Sequence, residues 1–317
     1  MKTRKLGFTN VELSTVGLGT WAHGGGGWDF SWGPQDDLQS ERTIRAALDA
    51  GVIWIDTAPA YGLGHAEEVL GRALKTMPRK PFVATKCSLV WDSNRKVTSD
   101  LSAKSVRAEC EASLKRLQVD VIDLYQIHWP RPAPQLEEGW GEIARLIADG
   151  KVRFAGVSNF SVEQIKRVQA IHPVASLQPP YSMLQRSVEK ELLAFCRANR
   201  IGMIAYSPLQ KGLLTGKVNR EYLASLPADD HRTKRDPMFL EPLLTENLKK
   251  VDALRSIADA RKISMSELAL AWILRRPEVT AVIAGGRTPE QIRGTARAMD
   301  VVLSEADLKA IEQILSA

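Results

Sequence analysis

Short apolar runs alternate with longer amphipathic stretches along the whole chain of 317 residues. The runs are brief and rich in β-branched residues, and apolar and polar positions do not alternate strictly within them. This pattern is typical of parallel strands buried on both faces. We therefore predict eight strands, near residues 16–19, 52–57, 82–87, 121–128, 152–158, 175–179, 202–207 and 280–284.

The stretches between these strands carry helix signals. Residues 104–117 repeat apolar positions at intervals of three and four, which is the spacing of one helical face. Ser40 precedes an amphipathic segment at 41–50 and Gly51 ends it, so we expect a helix capped by Ser40. Further helix starts are predicted from the pairs Ser161 and Gln164, Ser264 and Glu267, and Thr288 and Pro289.

Eight strand–helix units in one chain favour an α/β fold of the (β/α)8 TIM-barrel type, formed by a single domain over residues 1–317. A doubly wound open sheet is the alternative, but no boundary divides the chain into halves. Residues 4–14 predict an N-terminal β-hairpin that could plug the bottom of the barrel. Residues 208–245 interrupt the alternation and predict an ordered lid, because loops of that length are usually functional or disordered. Extra helices are expected towards the C-terminus.

Composition narrows the class of protein without identifying it. The 43 basic and 37 acidic residues give a net charge of +6 that is dispersed along the chain, so we expect no nucleic-acid partner. The sequence has no long apolar run and no signal-peptide core near its N-terminus, so we expect a cytoplasmic protein without a membrane partner. Three scattered cysteines, Cys87, Cys110 and Cys196, fit a reducing compartment. The basic surplus would also suit a small phosphorylated ligand.

In a (β/α)8 barrel the carboxyl ends of the strands form the reaction face. Four side chains with acid–base chemistry fall at or soon after predicted strand ends, namely Asp56, Tyr61, Lys86 and His128. Taken singly, Asp56 is more often a cap, and Tyr61 and His128 are more often packing residues. A lysine that ends a buried strand rarely has a structural role. Its presence together with the other three favours chemistry.

These four groups together can give a proton to a carbonyl being reduced or take one from an alcohol being oxidised. The pKa of a free tyrosine is about 10, and a lysine ammonium beside its hydroxyl lowers that value. A buried ammonium needs a carboxylate partner, and Asp56 can supply it. A neutral His128 can hydrogen-bond to the carbonyl oxygen and orient it.

Several segments, in order along essentially the whole chain, resemble signatures of the aldo-keto reductase superfamily, and most of all its bacterial members of the inositol-catabolism and general-stress type. Residues 52–71, VIWIDTAPAYGLGHAEEVLG, are similar to the family's strand ending in Asp, followed by Ala-x-x-Tyr-Gly and a helix containing Glu. LYQIHWP at 124–130, GVSNF at 156–160 and IAGGRTPEQI at 283–292 resemble its later signatures. The resemblance implies a barrel that transfers a hydride between NADP(H) and a small carbonyl or alcohol.

By this resemblance the catalytic residues are Asp56, Tyr61, Lys86 and His128. Tyr61 would be the general acid, Lys86 would lower its pKa, Asp56 would pair with Lys86, and His128 would orient the carbonyl. The family binds NADP(H) in an extended pose without a Gly-rich dinucleotide fold. The glycine run at 24–27 is therefore interpreted as a flexible loop on the substrate side.

The resemblance also implies a cofactor site. Ser158, Asn159 and Gln178 would hold the nicotinamide carboxamide, Tyr206 would stack on its ring, and Arg287 would bind the 2′-phosphate. The full expected set is Thr20, Trp21, Asp56, Ser158, Asn159, Gln178, Tyr206, Ser207, Pro208, Leu209, Gly212, Leu213, Thr215, Lys217, Gly285, Arg287, Gln291 and Thr295.

Two positions depart from the family's pattern. Ala284 stands where most relatives have a proline, and Thr295 aligns with a position that is commonly an asparagine facing the adenine. We expect the first change to relax the backbone slightly and the second to alter part of the adenine contact.

Tryptophans cluster near sequence positions that flank the expected cavity mouth. We predict Trp21, Trp28, Trp91 and Trp129 as substrate-binding residues, with Trp32 and Trp140 as further members of the cluster. Aromatic walls suit apolar and sugar-like faces equally. The family resemblance implies short aldehydes, hydroxyaldehydes such as glyceraldehyde, or aldoses and polyols in the reverse direction.

The sequence thus predicts an NADPH-dependent carbonyl reductase, reversible as an alcohol or polyol dehydrogenase, that acts as a monomer or weak homo-oligomer on a small-molecule substrate. The alternative is a nucleotide-binding regulatory subunit, because some barrels of the family resemble channel β-subunits. A metal-dependent hydrolase is a weaker alternative, since the five histidines show no ligand spacing and no metal site is expected.

Overall fold

The structure is a computed structural model of the chain and describes residues 2–227 and 230–316. The described strands are β1 (Thr3–Lys5), β2 (Glu12–Ser14), β3 (Val16–Gly19), β4 (Trp54–Asp56), β5 (Phe82–Cys87), β6 (Leu89–Trp91), β7 (Val97–Ser99), β8 (Ile122–Ile127), β9 (Val152–Ser158), β10 (Ser176–Gln178), β11 (Gly202–Ala205) and β12 (Val279–Gly285). The described α-helices are α1 (Asp37–Asp49), α2 (His65–Lys75), α3 (Ala103–Leu117), α4 (Leu136–Ala148), α5 (Val162–Gln169), α6 (Leu192–Ala198), α7 (Arg220–Ala224), α8 (His231–Arg235), α9 (Leu243–Ala260), α10 (Met265–Leu274), α11 (Pro289–Ala296) and α12 (Glu305–Ser316).

Eight parallel strands close into one barrel, in the order β3, β4, β5, β8, β9, β10, β11 and β12, with β12 paired to β3. All eight predicted strands and the predicted (β/α)8 barrel are confirmed. The strands are mostly apolar because the inner face packs in the barrel and the outer face packs under the helices. Their register aligns the carboxyl ends, so that Gly19 pairs with Asp56 and Lys86 pairs with Gln126.

The predicted N-terminal hairpin is confirmed and closes the opposite end of the barrel. β1 and β2 pair in antiparallel fashion, and Leu6 and Leu13 are fully buried against residues inside the barrel. Gly7 has a φ of +55°, and a Cβ there would lie 2.6 Å from the carbonyl oxygen of Ala175. Glycine is therefore required where the hairpin meets the barrel.

Most predicted helix starts are confirmed by the capping contacts. Capping boxes form at Ser161 and at Ser264, and the Thr288 side chain caps α11. The prediction of Ser40 as a cap is wrong, since the Asp36 side chain accepts a hydrogen bond from the Gln39 backbone and α1 begins one turn earlier.

The long segment at 208–245 is folded into short helices and turns, as predicted, and contains α7 and α8; residues 228 and 229 within it lie outside the described residues. α9 and α12 pack against each other as additions to the eight strand–helix units. The hairpin of β6 and β7 was not predicted. No helix among residues 2–227 and 230–316 is long and apolar enough to cross a membrane.

Candidate active site

Three of the four predicted catalytic side chains meet in one buried cluster at the carboxyl end of the barrel. Lys86 Nζ donates to Asp56 Oδ1 at 2.6 Å, to the Thr57 carbonyl at 2.9 Å and to the Tyr61 hydroxyl at 3.2 Å. Lys86 is fully buried, and Asp56 and Tyr61 are nearly so. All three protons of the ammonium thus have acceptors, which is what a buried lysine requires.

The second oxygen of Asp56 is held by two amides. Gln178 Nε2 donates to Asp56 Oδ2 at 2.8 Å, and Gln126 Nε2 lies 3.3 Å from the same oxygen. Gln126 was not among the predicted site residues, although it lies two positions before His128, a spacing that places both side chains on one face of the chain. With amides on one oxygen and Lys86 on the other, the carboxylate is fixed in orientation.

His128 faces the phenol of Tyr61. The two ring centroids are 5.9 Å apart with an interplanar angle of 80°. Burial lowers the pKa of His128 well below its ordinary value, and the Lys86 ammonium lowers it further. The imidazole is therefore neutral at physiological pH and can donate one N–H to a substrate oxygen.

The protonation states of Lys86 and Tyr61 follow from burial and from their mutual contact. Burial lowers the pKa of Lys86, but Asp56 and Tyr61 outweigh this effect and the pKa lies above its ordinary value. Burial raises the pKa of Tyr61 and Lys86 lowers it, with the rise prevailing. Lys86 thus lowers the Tyr61 pKa as predicted, but burial outweighs this effect. Lys86 is charged and Tyr61 is a protonated donor at neutral pH.

The loop that carries Tyr61 is braced by two glycines. A Cβ on Gly24 would lie 2.7 Å from the Tyr61 carbonyl carbon, and one on Gly62 would lie 2.1 Å from the Gly24 carbonyl oxygen. Gly62 also has a φ of +65°, which other residues rarely adopt. Gly24 of the predicted flexible run is thus buried against the Tyr61 loop and ends a 3₁₀ turn from Trp21.

A cavity of about 1070 Å³ extends from the cluster of Asp56, Lys86 and Tyr61, which we call the catalytic cluster after its predicted role, to the start of α11. The side chain of Leu213 is fully buried in the core, and its contact with a cofactor stays a prediction. The other predicted cofactor residues line the cavity, namely Thr20, Trp21, Asp56, Ser158, Asn159, Gln178, Tyr206, Ser207, Pro208, Leu209, Gly212, Thr215, Lys217, Gly285, Arg287, Gln291 and Thr295.

The residues expected at the nicotinamide end are linked to one another. Asn159 has a φ of +63°, and its amide donates to the His128 carbonyl at 3.0 Å and accepts from the Tyr206 hydroxyl at 2.9 Å. Ser158 Oγ donates to the Gln178 carbonyl at 2.8 Å. These contacts connect the wall of the cavity to His128, which directly follows β8.

At the opposite end, Arg287 contacts the loop between β3 and α1. Its guanidinium donates to Gln35 Oε1 at 2.7 Å, to the Trp32 carbonyl at 3.3 Å and to the Pro34 carbonyl. Gln291 Oε1 accepts from the Arg287 backbone N–H at 2.7 Å. Sequence reasoning assigned Arg287 to a phosphate alone and missed this loop contact, which joins residues 252 positions apart.

The two departures from the family's pattern lie at this end as well. Ala284 is fully buried within β12, and the Thr295 hydroxyl donates to the Ile292 carbonyl at 3.1 Å. Thr295 thus satisfies its hydroxyl within α11 while its side chain lines the cavity.

Aromatic side chains form the wall next to Tyr61. Trp21 lies 5.3 Å from the Tyr61 ring and 5.8 Å from Trp28, and both tryptophans line the cavity together with Trp129. Trp91 lies in β6, partly exposed, and its role stays a prediction. Trp140 is corrected, because it lies in α4 and is fully buried in the core.

Two separate segments meet at the cavity wall, in a contact that we call the clasp. Phe30 packs edge-to-face on His231 at 5.6 Å, and the Arg232 guanidinium lies 5.3 Å from the Trp32 ring. Arg232 is buried and held by Asp230 through hydrogen bonds of 2.9 and 2.8 Å. The clasp therefore joins the loop after β3 to the segment after β11.

A parallel (β/α)8 barrel with a buried Asp–Lys–Tyr cluster beside a neutral histidine, at one end of a long cavity, defines an oxidoreductase architecture. The chain belongs to the aldo/keto reductase family, whose profile matches residues 15–316. No group of three or more His, Cys, Asp or Glu side chains in the described ranges is placed to hold a metal ion.

Individual relatives cover nearly the full length. The chain is 41% identical to aldo-keto reductase YhdN of Bacillus subtilis (strain 168), over 99% of this chain and 94% of that protein. It is 35% identical to the NADH-specific methylglyoxal reductase of Escherichia coli (strain K12), over 100% of this chain and 99% of that protein. The solved structure of glycerol dehydrogenase AKR11B4 from Gluconobacter oxydans is similar with a TM-score of 0.90 and 40% identity, over 99% of this chain and 95% of that one.

Proposed function

We propose that this chain reduces small carbonyl compounds with a nicotinamide nucleotide and oxidises the corresponding alcohols, with Tyr61 as general acid and base. The observation that carries the proposal is the position of Lys86 Nζ, 2.6 Å from Asp56 Oδ1 and 3.2 Å from the Tyr61 hydroxyl. Burying an ion pair costs desolvation energy, so such a cluster is weak evidence for a stabilising role. Its location at the inner end of a large cavity supports a catalytic one.

NADP(H) is the proposed cofactor, and the donor set suits it. The amides of Asn159 and Gln178 and the hydroxyl of Ser158 line the cavity, as do the cations Lys217 and Arg287, and Arg287 precedes α11. A phosphate is stabilised by a helix N-terminus and by a guanidinium. The nucleotide, when bound, supplies the hydride in reduction and accepts it in oxidation.

The side chains handle the proton. In reduction the Tyr61 hydroxyl donates its proton to the substrate oxygen, and the Lys86 ammonium stabilises the phenolate that forms. Asp56 keeps Lys86 charged, and neutral His128 donates an N–H to the same substrate oxygen and orients it. In oxidation the phenolate accepts the proton of the alcohol.

For the substrate we propose a small hydroxyaldehyde such as glyceraldehyde, with an aldose or a polyol as further candidates. The aromatic wall of Trp21, Trp28 and Trp129 can pack on the C–H faces of such molecules. The names of two relatives, a methylglyoxal reductase and a glycerol dehydrogenase, support substrates of this size.

The test is Tyr61→Phe, measured with a panel of carbonyls and polyols and with both NADPH and NADH. Loss of the general acid should lower kcat by about 10²- to 10⁴-fold while the nucleotide Kd changes little. Tyr125→Phe is the matched control, since it removes a buried hydroxyl that donates to the Val106 carbonyl away from the cavity.

Near-normal turnover in Tyr61→Phe would contradict the mechanism. A wild-type chain that binds the nucleotide but turns over no member of the panel would instead favour the regulatory-subunit alternative.

A further inference from the structure

Ser88 is a junction between three segments near the catalytic cluster. It follows β5, two positions after Lys86, and is fully buried with a φ of +85°, a left-handed conformation that is uncommon outside glycine. Its carbonyl accepts from the Asp100 N–H at 3.2 Å, and its Oγ lies 3.2 Å from both the N and the O of Trp129. Ser88 thus ties the base of the β6–β7 hairpin to the end of β8.

Both segments that Ser88 joins form the substrate side of the cavity. Leu89, Thr98 and Trp129 line the cavity on this side. The backbone of the neighbouring His128 is held to the same segment, because its backbone N–H donates to the Cys87 carbonyl at 3.0 Å. A displacement of Ser88 would therefore move the hairpin and Trp129 relative to the catalytic cluster.

The conformation of Ser88 depends on Glu109, which extends from α3. Glu109 Oε1 accepts from the Ser88 N–H at 3.3 Å and from the Ser105 hydroxyl at 3.2 Å. Its Oε2 is buried and has no hydrogen-bond partner among the described residues. Because an unpaired buried N–H is costly, the carboxyl group stabilises the left-handed backbone at Ser88.

In the described part of the chain, the Arg116 guanidinium acts on Glu109 but is itself paired with Glu67. Burial is the main cause that raises the pKa of Glu109 to about 8, with Asp100 raising it further. Arg116 lowers it only weakly, and the Arg116 Nε donates to Glu67 at 2.7 Å. Cys87, Cys110 and Tyr125 are neutral at pH 7, because burial raises the pKa values of all three.

We propose that Glu109 is a positioning residue that sets substrate binding, because it holds the Ser88 junction and thereby the hairpin and Trp129 wall. The proposal rests on the proposed function for its kinetic consequence, but its structural content stands on the Glu109–Ser88–Trp129 hydrogen bonds alone. The neutral carboxyl serves as the acceptor at pH 7. Ionisation above about pH 8 keeps this acceptor, because the hydrogen bonds from Ser88 and Ser105 favour the charged carboxylate.

The test compares Glu109→Leu, Glu109→Gln and the control Ser105→Ala. Glu109→Leu removes the acceptor and should raise the KM for the carbonyl about tenfold at pH 7, with the nucleotide Kd unchanged. Glu109→Gln keeps an acceptor oxygen and should retain the wild-type KM. Ser105→Ala removes the other donor to Glu109 and should leave KM unchanged.

Hydrogen exchange supplies a readout that does not depend on turnover. Peptides spanning 88–100 and 128–131 should exchange faster in Glu109→Leu than in the wild type or in Glu109→Gln, while peptides from β3 and β4 stay unchanged. Unchanged KM and exchange in Glu109→Leu would overturn the proposal, as would a loss confined to kcat or to nucleotide binding. A wild type that reduces no carbonyl would contradict the proposed function, whereas the exchange rates would still support or overturn the role of Glu109.

Discussion

At the scale of single residues, Arg287 has two roles open to its five N–H groups. Three of them donate to the loop at 32–35, through Gln35, the Trp32 carbonyl and the Pro34 carbonyl. Two N–H groups are left for an outside acceptor. Arg287 can therefore hold the loop and bind a phosphate at the same time, since a guanidinium presents its donors in a fixed planar fork.

A matched pair of variants separates these roles. Arg287→Met should weaken NADPH binding by roughly tenfold to hundredfold more than NADH binding, because only NADPH loses charge-assisted hydrogen bonds. Gln35→Ala breaks the loop contact and leaves the guanidinium, so it should weaken both nucleotides equally. Fluorescence titration gives the four Kd values. An unchanged nucleotide preference in Arg287→Met would remove this residue from the phosphate site.

At the scale of secondary-structure elements, Glu67 connects three of them behind the catalytic cluster. It lies in α2, is fully buried, and accepts from the Thr85 hydroxyl of β5 at 2.6 Å and from Arg116 Nε of α3 at 2.7 Å. Thr85 precedes Lys86, so the two side chains lie on opposite faces of β5. The hydrogen bond from Thr85 to Glu67 fixes the outer face, and the inner face carries the Lys86 ammonium.

Removing the Glu67 carboxylate should lower the free energy of unfolding more than it weakens nucleotide or substrate binding. Glu67→Ala leaves Arg116 without its carboxylate and Thr85 without its acceptor, and should lower the free energy of unfolding by about 3 to 5 kcal/mol. Denaturant titration measures this change. The control is Glu137→Ala, which breaks the exposed pair with Arg167 and should have a much smaller effect. Equal losses in the two variants would contradict a special role for the buried pair.

Elements with strong local signals were predictable from the sequence, and contacts between distant segments were not. The barrel strands are mostly apolar on both faces, so each appears in the sequence as a short, mostly apolar run such as that at 152–158. The start of α1 was misplaced because Asp36 and Ser40 both suit a cap, and only the fold decides between them. Gln126, the clasp and the Arg287 loop contact join residues far apart in sequence. The spacing of residues within one segment can indicate which face a side chain lies on, but it does not indicate which distant residue that side chain contacts.

The charge and the burial of the site residues were likewise only partly predictable from the sequence. The types of the four catalytic residues predicted a proton-transfer group, and the contacts of Lys86 with Asp56 and Tyr61 agree with that prediction. The net rise in the Tyr61 pKa depends on how far the phenol is buried, which no pattern of residue types specifies. Likewise Leu213 has a side chain near the site that is buried in the core.

At the scale of the whole molecule, the clasp closes the cavity from two directions. The Arg232 guanidinium lies 5.3 Å from the Trp32 ring and 5.7 Å from the Tyr222 ring, while Asp230 neutralises its charge. Lys211 donates to Asp236 at 2.6 Å within the same segment. Since residues of both segments line the cavity, we expect a nucleotide bound along it to leave faster when the clasp opens.

Arg232→Met tests this coupling between the clasp and release. The substitution leaves the buried Asp230 unpaired and removes the cation between two aromatic rings, so the segment should separate from Trp32 more readily. We expect nucleotide release to become roughly tenfold faster, and kcat to rise if release limits turnover. Stopped-flow fluorescence measures the release rate. Arg220→Met, which removes an exposed cation paired with Glu241 in the same segment, should leave the rate unchanged. Equal release rates for the wild type and Arg232→Met would mean that the nucleotide leaves without opening the clasp.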